Sequence, residues 1–265
     1  MPSGPISARS QAVTFDPFGD FATRGYLRNI AAEKDPDIVR RLEHTSFTTG
    51  LDEAFAQLRT IKTLSYSDVL ATHKILFDAV YPWAGQDRLQ TAAEIAVCKG
   101  EVLFAHPADA QAAIEYALKN GQDPTFMRDK PGEVMGHLAY GHPFLDGNGR
   151  TIMVVHSVMA QRAGISIDWA STNKVEYLKV LSMEIDNPGR GRLDEYLKSY
   201  LKPALDHDRL PAQVVGAPGL DGKSQTEDNR VLGNVSEPAV QLRYTQQRIQ
   251  REQGIAQDRG RGGGR

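Results

Sequence analysis

With 265 residues, 40 % of them apolar and 24 % charged, the chain is long enough for one globular domain with a buried core and a further segment. Its 31 basic and 33 acidic residues give a formal net charge of -2, which excludes a general electrostatic attraction to nucleic acid or to membranes. The single cysteine, Cys98, excludes an intramolecular disulfide and a zinc site built from several thiolates. No apolar run reaches the roughly 20 residues of a membrane span, and the first residues lack a signal peptide, so we expect a cytoplasmic protein.

The N-terminal residues differ in composition from the rest of the chain. The stretch FDPFGDFATRGYLRN is rich in glycine, proline and aromatic residues but has no helical period. We therefore predict an extended N-terminal arm, residues 1–33, that lies on the domain.

Helical patterns dominate residues 34–205, which we predict to form the domain. In LDEAFAQLRTIKTL, apolar residues recur on one stripe, and the next segment follows a candidate N-cap at Ser65 or Ser67. Five later segments have the same pattern, so the predicted fold class is all-α, a helical bundle. These segments are ADAQAAIEYALKN, PGEVMGHLAYGH, RTIMVVHSVMAQRAG, NKVEYLKVLSMEID and GRLDEYLKSYL.

One segment, LQTAAEIAVCKGEVLFA, departs from the helical pattern. Its Lys99-Gly100 pair separates two short apolar runs, which is typical of a hairpin turn. We predict a small two-stranded β-hairpin here, ahead of the last helices of the domain.

The stretch GHPFLDGNGR, residues 141–150, lies between two predicted helices. The first should end near His142 and the second should begin near Gly149 or Arg150, which places DGNG at a helix N-terminus. Unpaired N–H groups and the positive end of the helix dipole make such a place an anion site. Gly147 and Gly149 let the backbone approach a ligand, and the guanidinium of Arg150 can bind phosphate oxygens.

Two other side chains of this loop indicate what the anion does. Asp146 would repel a phosphate unless a hard cation such as Mg²⁺ lies between them. His142, whose ordinary pKa is near neutral, can take a proton from an incoming hydroxyl. Together they predict phosphoryl or nucleotidyl transfer. A metal site of His137, His142 and Asp146 is a weaker alternative, since the spacing fits no helical pair of ligands, and we interpret the remaining histidines as structural.

Beyond Leu205, few large apolar residues recur at a usable period, so we predict a mostly disordered C-terminal tail, residues 206–265. From Gln241 to Arg265 the chain has six arginines against Glu252 and Asp258. This basic end is either a solvated tail or a recognition segment.

The stretch HPFLDGNGR resembles the signature of the Fic family, in which His-Pro-Phe, a variable residue, Asp or Glu, and Gly-Asn-Gly-Arg form the active-site loop of an all-helical domain. Upstream, HKILFDAVYPWAGQDR and VCKGEVLFAHP are similar to the family's helix and flap. The resemblance covers roughly residues 40–203. It implies a Fic-type helical bundle with a small β-hairpin flap before the active-site helices.

The resemblance also implies roles for the loop. His142 would be the general base for a target hydroxyl, and Asp146 would bind Mg²⁺. Gly147, Asn148 and Gly149 would form the anion hole for the nucleotide.

On the same resemblance, Arg150 would bind the phosphates of the nucleotide, and Phe144 would anchor the loop in the core. We expect Lys99 and Gly100 of the flap to contact the nucleotide as well. In the family the flap pairs with a strand of the target protein, so a target is expected to dock near residues 95–104. The implied reaction is Mg²⁺-dependent transfer of AMP from ATP to Ser, Thr or Tyr.

One position departs from the family's longer signature, which has a second arginine three residues after the first. Here that residue is Met153, and a thioether cannot replace a charge-assisted bond to the terminal phosphate. The donor therefore stays open, with UMP, phosphate or phosphocholine transfer as alternatives to AMP transfer. A non-catalytic binding module is a further alternative.

The family's inhibitory helix has a Ser or Thr, three residues, Glu, then Gly or Asn. Only Glu53 and Glu176 follow a hydroxyl residue at that spacing, and neither is followed by Gly or Asn. We therefore expect control by a separate antitoxin-like protein, control by secretion, or no inhibitor of this type. The basic C-terminal end is similar to the signals that select Fic effectors for type IV secretion, so secretion into a host or recipient cell is the alternative to a cytoplasmic location.

Overall fold

The computed structural model describes residues 27–220 and 230–262. Of the predicted N-terminal arm, residues 1–26 lie outside the described residues. Residues 27–33 contain no helix or strand, and the N–H of Ile30 donates to the carbonyl of Val80 at 2.8 Å.

The domain begins with two helices that pack against each other. Helix α1 spans Pro36–Thr60, and its N-cap Asp35 accepts two backbone N–H groups of the first turn. Helix α2 spans Tyr66–Phe77 and begins with a capping box between Ser65 and Asp68, so Ser65 is the N-cap.

The predicted helical segments downstream all form helices. Pro131 occupies a first helical turn, as predicted, and Gly164 follows a helix end with φ +85°. The remaining helices are α3 (Arg88–Thr91), α4 (Ala110–Gly121), α5 (Pro124–Asp129), α6 (Pro131–Gly141), α7 (Asn148–Arg162), α8 (Lys174–Asp186), α9 (Arg192–Leu197), α10 (Leu210–Val215) and α11 (Pro238–Gly262).

Two small antiparallel sheets accompany the helices. The first contains β1 (Ile95–Lys99), β2 (Val102–Leu103) and β5 (Arg230–Asn234), in the order β2-β1-β5. The second pairs β3 (Ile165–Ile167) with β4 (Leu201–Pro203). The predicted all-α bundle with a small hairpin is therefore confirmed as a mostly helical fold with small β elements.

The prediction of the strands was incomplete in three respects. The hairpin turn is made by Gly100 and Glu101, one residue later than predicted. The hairpin is not two-stranded, because β5 pairs with β1 from more than 130 residues further along the chain. The pair β3-β4 was not predicted, since strands of three residues are too short to show an alternating pattern.

The prediction of a mostly disordered tail, residues 206–265, was wrong for its described part. That part contains α10, β5 and the long helix α11. The prediction counted recurring apolar residues, but α11 is attached largely through polar side chains. Gln247 donates to the carbonyl of Leu103, and Arg251 donates to the carbonyl of Ile185.

Helix α7 runs through the centre of the core, and its residues 151–160 are all buried. This central position holds the loop that precedes α7 in a fixed place. No helix in the described ranges is long and apolar enough to cross a membrane. The largest buried side chains include Phe47, Phe55, Phe77, Phe144, Leu51, Leu58, Leu76, Ile114, Met127, Met135 and Leu138.

Candidate active site

The loop between α6 and α7 has a left-handed residue at each end. His142 is the C-cap of α6 with φ +40°, an uncommon conformation for a residue with a side chain. Gly147 is the N-cap of α7 with φ +74°, and a Cβ there would lie 2.5 Å from the ring of Phe77. Glycine is therefore required at position 147 both by the backbone and by the space.

Asn148 and Phe144 fix the middle of the loop. The side chain of Asn148 accepts the N–H of Phe144 at 2.9 Å and donates to its carbonyl at 2.8 Å. The Phe144 ring is fully buried and stacks on His73 with 3.7 Å between ring centroids. The loop is thus held by a side-chain clamp on one side and by core packing on the other.

His73, which sequence reasoning left as structural, supports this loop directly. Its Nδ1 accepts the N–H of Gly85 at 2.9 Å, so the ring proton is assigned to Nε2, which donates to the carbonyl of Asp146 at 3.0 Å. Burial lowers the pKa of His73 to about 3. The ring therefore stays neutral and keeps both bonds.

His142, the predicted base, lies under the flap. Its ring stacks on Phe104, just after β2, with 3.6 Å between centroids and an angle of 10°. The residue is 7 % exposed, and its buried Nε2 has no hydrogen-bond partner among the described residues. Burial, followed by the charges of Arg88 and Lys99, holds the pKa of His142 well below its ordinary value. The site thus presents a neutral imidazole with an unused nitrogen.

Arg88, the first residue of α3, holds the backbone around this histidine. Its Nε donates to the carbonyl of His142 at 2.7 Å, and its Nη2 donates to the carbonyl of Ala105 at 2.7 Å. Its own N–H donates to the carbonyl of Pro143 at 2.7 Å. One fully buried arginine therefore connects the active-site loop to the end of the flap. Sequence reasoning missed it because the side-chain contacts are 17 and 54 residues away.

Arg150 is held by a carboxylate that sequence reasoning also missed. Its Nη2 donates to Glu43 Oε2 at 3.0 Å and, more weakly, to Asp146 Oδ1 at 3.4 Å, and it lies over the ring of Phe77. The hydroxyl of Tyr81 donates to the other oxygen of Glu43. Burial, and next the charge of Asp146, raise the pKa of Glu43 to about 7.

The N-terminus of α7 faces away from the core at Gly149. A Cβ added to Gly149 would meet no atom within 4 Å, so the space in front of this turn is open. The side chain of Asp146 is 41 % exposed beside it, with Oδ1 bonded to the N–H of Gly147. Open space, free helical N–H groups, a carboxylate and Arg150 are therefore grouped at one helix end.

The other predicted nucleotide contacts lie at the tip of the flap. Lys99 ends β1, and Gly100 follows it with φ +57° in the turn. Lys99 is near enough to His142 to lower its pKa. Met153, one turn along α7 from Arg150, is buried in the core. His137 is not part of this group, since its Nδ1 contacts Arg251 at 3.1 Å.

Residues 63–160, which include α2, the flap, α6, the loop and most of α7, match the family model described as the Fic/DOC family. This part of the chain is a Fic domain. The resemblance inferred from HPFLDGNGR is therefore confirmed at the level of the family.

Two curated relatives of the Fic domain are named protein adenylyltransferases. VbhT of Bartonella schoenbuchensis is 29 % identical over 177 residues, which cover 61 % of this chain and 34 % of VbhT. The chain thus matches about a third of the length of that relative. The second, y4lH of Sinorhizobium fredii, is named a probable protein adenylyltransferase and is 26 % identical over 165 residues, covering 58 % of this chain and 81 % of y4lH.

Solved structures support the same fold. The N-terminal Fic domain of a VirB-translocated effector of Bartonella quintana, solved with ADP, has a TM-score of 0.57 and 20 % identity, covering 69 % of this chain and 94 % of that one. BepC of Bartonella tribocorum, solved with AMPPNP, has a TM-score of 0.50 and 16 % identity, with 68 % and 93 % covered. At these identities the likeness concerns the fold.

Proposed function

We propose that the Fic domain transfers AMP from ATP to the hydroxyl of a Ser, Thr or Tyr in a target protein. The single observation that carries the proposal is the buried, neutral His142, whose unused Nε2 lies on the loop that leads into the open N-terminus of α7. A binding module that only held an anion would not need a base there. The names of both curated relatives and the nucleotides in the two solved structures support the same reaction.

In the proposed reaction, His142 Nε2 accepts the proton of the target hydroxyl while the hydroxyl oxygen forms a bond to the α-phosphorus of ATP. The bond from that phosphorus to the bridging oxygen breaks, and pyrophosphate leaves. The low pKa of His142 keeps the base unprotonated at neutral pH. The N–H groups at Asn148 and Gly149 and the guanidinium of Arg150 stabilise the charge on the phosphate oxygens.

The residues at the loop fit a magnesium ion. Asp146 is the carboxylate that would hold it, because Oδ1 is engaged and Oδ2 makes no hydrogen bond to the described residues. No group of three His, Cys, Asp or Glu side chains in the described ranges could hold a metal, so the remaining ligands would be phosphate oxygens and water. A bound Mg²⁺ would neutralise charge on the nucleotide.

Met153 favours a second candidate, in which the donor is not ATP. A buried thioether lies where the family has its second arginine. Transfer of UMP, phosphate or phosphocholine is the alternative reaction of the same site. Incubation with labelled ATP, UTP, GTP and CDP-choline distinguishes these donors.

The test of the mechanism is His142→Ala. Loss of the general base should lower transfer by about 10²- to 10⁴-fold while nucleotide binding measured by calorimetry stays within about twofold. The His44→Ala variant, which alters a half-buried histidine on α1 outside the loop, serves as the matched control. Transfer by the His142 variant at the rate of the unaltered protein would contradict the role of His142.

The sequence and the relatives support a proposal for the location and the partners. We propose a cytoplasmic protein without nucleic-acid or membrane partners, and secretion into a recipient cell as the alternative. Titles of several structural neighbours describe VirB-translocated effectors, which supports the alternative. A target docking on residues 95–104 and a separate antitoxin-like inhibitor stay predictions.

A further inference from the structure

The flap of the Fic domain has two edges, and the hydrogen-bond pattern assigns backbone groups to each. The N–H of Phe104 donates to the carbonyl of Val97 at 3.2 Å, so these two residues face each other inside the hairpin. Backbone groups alternate in direction along a strand, so Ala96 and Cys98 turn theirs outward from β1, and Leu103 turns its own outward from β2.

The outer edge of β1 is covered by β5. Ala96 pairs with Gly233, and Cys98 pairs with Arg230, in antiparallel register with a bulge between residues 96 and 97. The N–H of Val235 continues the pairing to the carbonyl of Glu94 at 2.9 Å. This edge therefore already has an extended segment of the same chain on it.

The outer edge of β2 is covered by side chains of α11. Gln247 donates to the carbonyl of Leu103, and Arg243 donates to the carbonyl of Glu101 at 3.1 Å. Both outward carbonyls near the tip of the flap are thus engaged. Whichever edge a target strand would use, it meets residues 230–251, which we name the C-terminal segment.

Arg251 is one of the residues that hold α11 against the domain, and it lies behind the flap. Its guanidinium lies 3.5 Å from the centroid of the Tyr140 ring, donates to the carbonyl of Ile185 and contacts His137 Nδ1 at 3.1 Å. All three partners are neutral, and burial lowers the pKa of Arg251 to about 10. The charges of Glu184 and Asp186 act on the guanidinium from further away, but its direct contacts in the described ranges are all neutral. Burial of this charge therefore costs desolvation free energy that no ion pair offsets, which favours displacement of the contact.

The same arrangement reaches the predicted base. Phe104, which covers the ring of His142, directly follows Leu103, whose carbonyl is held by Gln247. A flap fixed on both edges therefore keeps its aromatic cover over the histidine.

We infer that the C-terminal segment is the in-chain occupant of the flap edges on which a target strand would pair, so that target docking requires its displacement. The inference rests on the proposed function, because it concerns the docking surface of the same site. The partner it fits is an extended protein segment that replaces main-chain pairing with β1 and lets α11 move away from β2.

The first test needs no activity. Hydrogen-exchange mass spectrometry on the full chain should show exchange of residues 94–104 at least about tenfold faster in Arg251→Ala than in the unaltered protein. The matched control is Arg248→Ala, an exposed arginine on the same helix, which should leave exchange unchanged. Exchange of residues 150–160 reports that the core stays folded. Unchanged flap exchange in Arg251→Ala overturns the inference.

The second test locks the segment. Arg230→Cys places a thiol on the register partner of Cys98, the only other cysteine, so mild oxidation with oxidised glutathione should join β5 to β1. Label transfer from α-labelled ATP to proteins of a cell lysate should fall at least about fivefold on oxidation and return on reduction. The unaltered chain, treated in parallel, should not respond. Failure of the bond to form, or full transfer by the locked chain, overturns the inference.

The release variant separates the inference from the proposed function. Arg251→Ala should transfer more label than the unaltered chain, and Arg251→Ala combined with His142→Ala should transfer none. If Arg251→Ala and the unaltered chain transfer label equally while the flap exchanges faster in Arg251→Ala, the inference is overturned and the enzyme assignment stays. If neither Arg251→Ala nor the unaltered chain transfers label, the proposed function is overturned, and the docking role of the C-terminal segment is overturned with it. The exchange data still report whether the C-terminal segment covers the flap.

Discussion

Helices α1 and α11 are both 25 residues long and both begin with proline, yet they are attached to the molecule in different ways. Helix α1 buries an apolar stripe that includes Phe47, Leu51 and Phe55. The side chains of α11 are described for residues 238–254. Within that range the buried side chains are Val240, which is apolar, and Gln247 and Arg251, which are polar. Apolar burial stabilises by about 25 cal/mol per Å², whereas a hydrogen bond exchanged with water contributes only about 1 kcal/mol. Helix α1 is therefore part of the hydrophobic core, which we call the framework, whereas α11 is attached more weakly and covers the flap.

The buried charges of the two helices make the same distinction. Glu43 on α1 is paired with Arg150 and bonded by Tyr81, so its charge belongs to the active site. Arg251 on α11 has neutral partners and lies behind the flap. A paired buried charge resists removal, since breaking the pair leaves the other charge uncompensated.

The largest expected effect is on the stability of the framework helix. Phe55→Ala removes a fully buried ring and should lower the free energy of unfolding by about 3–5 kcal/mol, measured by urea denaturation. Glu53→Ala, on the exposed face of the same helix, is the control and should change it by less than about 0.5 kcal/mol. A loss below about 1 kcal/mol for Phe55→Ala would remove the contrast between the helices.

Sequence reasoning found the loop and most helices because both signals are local. HPFLDGNGR contains His142, Asp146 and Arg150 within nine residues, and helical stripes repeat every three or four positions. It missed Glu43, which lies 107 residues from Arg150, because no periodicity connects two residues that far apart.

The same limit explains the missed helix α11. An amphipathic pattern records apolar anchors, and this helix uses Gln247 and Arg251 as anchors instead. The composition of its sequence is therefore that of a solvated basic tail. The strand β5 was missed for a related reason, since its pairing partner β1 is contributed by a hairpin in another part of the domain.

A smaller effect is expected from the pH dependence of the charge on α1. The pKa of Glu43 is raised from 4.5 to about 7 in the folded protein, so the folded state binds a proton that the unfolded state has lost. The stability due to this group is fully present below pH 4.5 and is lost as the pH rises through 7, a change of about 3 kcal/mol. Glu43→Gln cannot titrate. The unaltered protein should therefore lose stability relative to this variant between pH 5 and pH 8.

Urea denaturation of both proteins at pH 5 and pH 8 measures this difference. Glu53→Gln, an exposed position on the same helix, is the control that should leave the pH dependence of the unaltered protein in place. A difference between the unaltered protein and Glu43→Gln that is the same at both pH values would show that Glu43 is not the titrating group.

The smallest effect is expected on α11, where Val240→Ala removes two methyl groups from the one large apolar anchor described in that helix. The direct loss is about 1–2 kcal/mol, but it should be taken from the local opening of α11 and not from the unfolding of the domain. Hydrogen exchange of residues 238–252 should therefore speed up about tenfold, while the melting temperature followed by circular dichroism changes by less than about 2 °C. Leu242→Ala, at a position 57 % exposed on the same helix, removes a larger apolar group and should do neither. Phe55→Ala and Val240→Ala both truncate buried apolar residues. If both variants lower the melting temperature, α11 unfolds only together with the core, and it belongs to the hydrophobic core as α1 does.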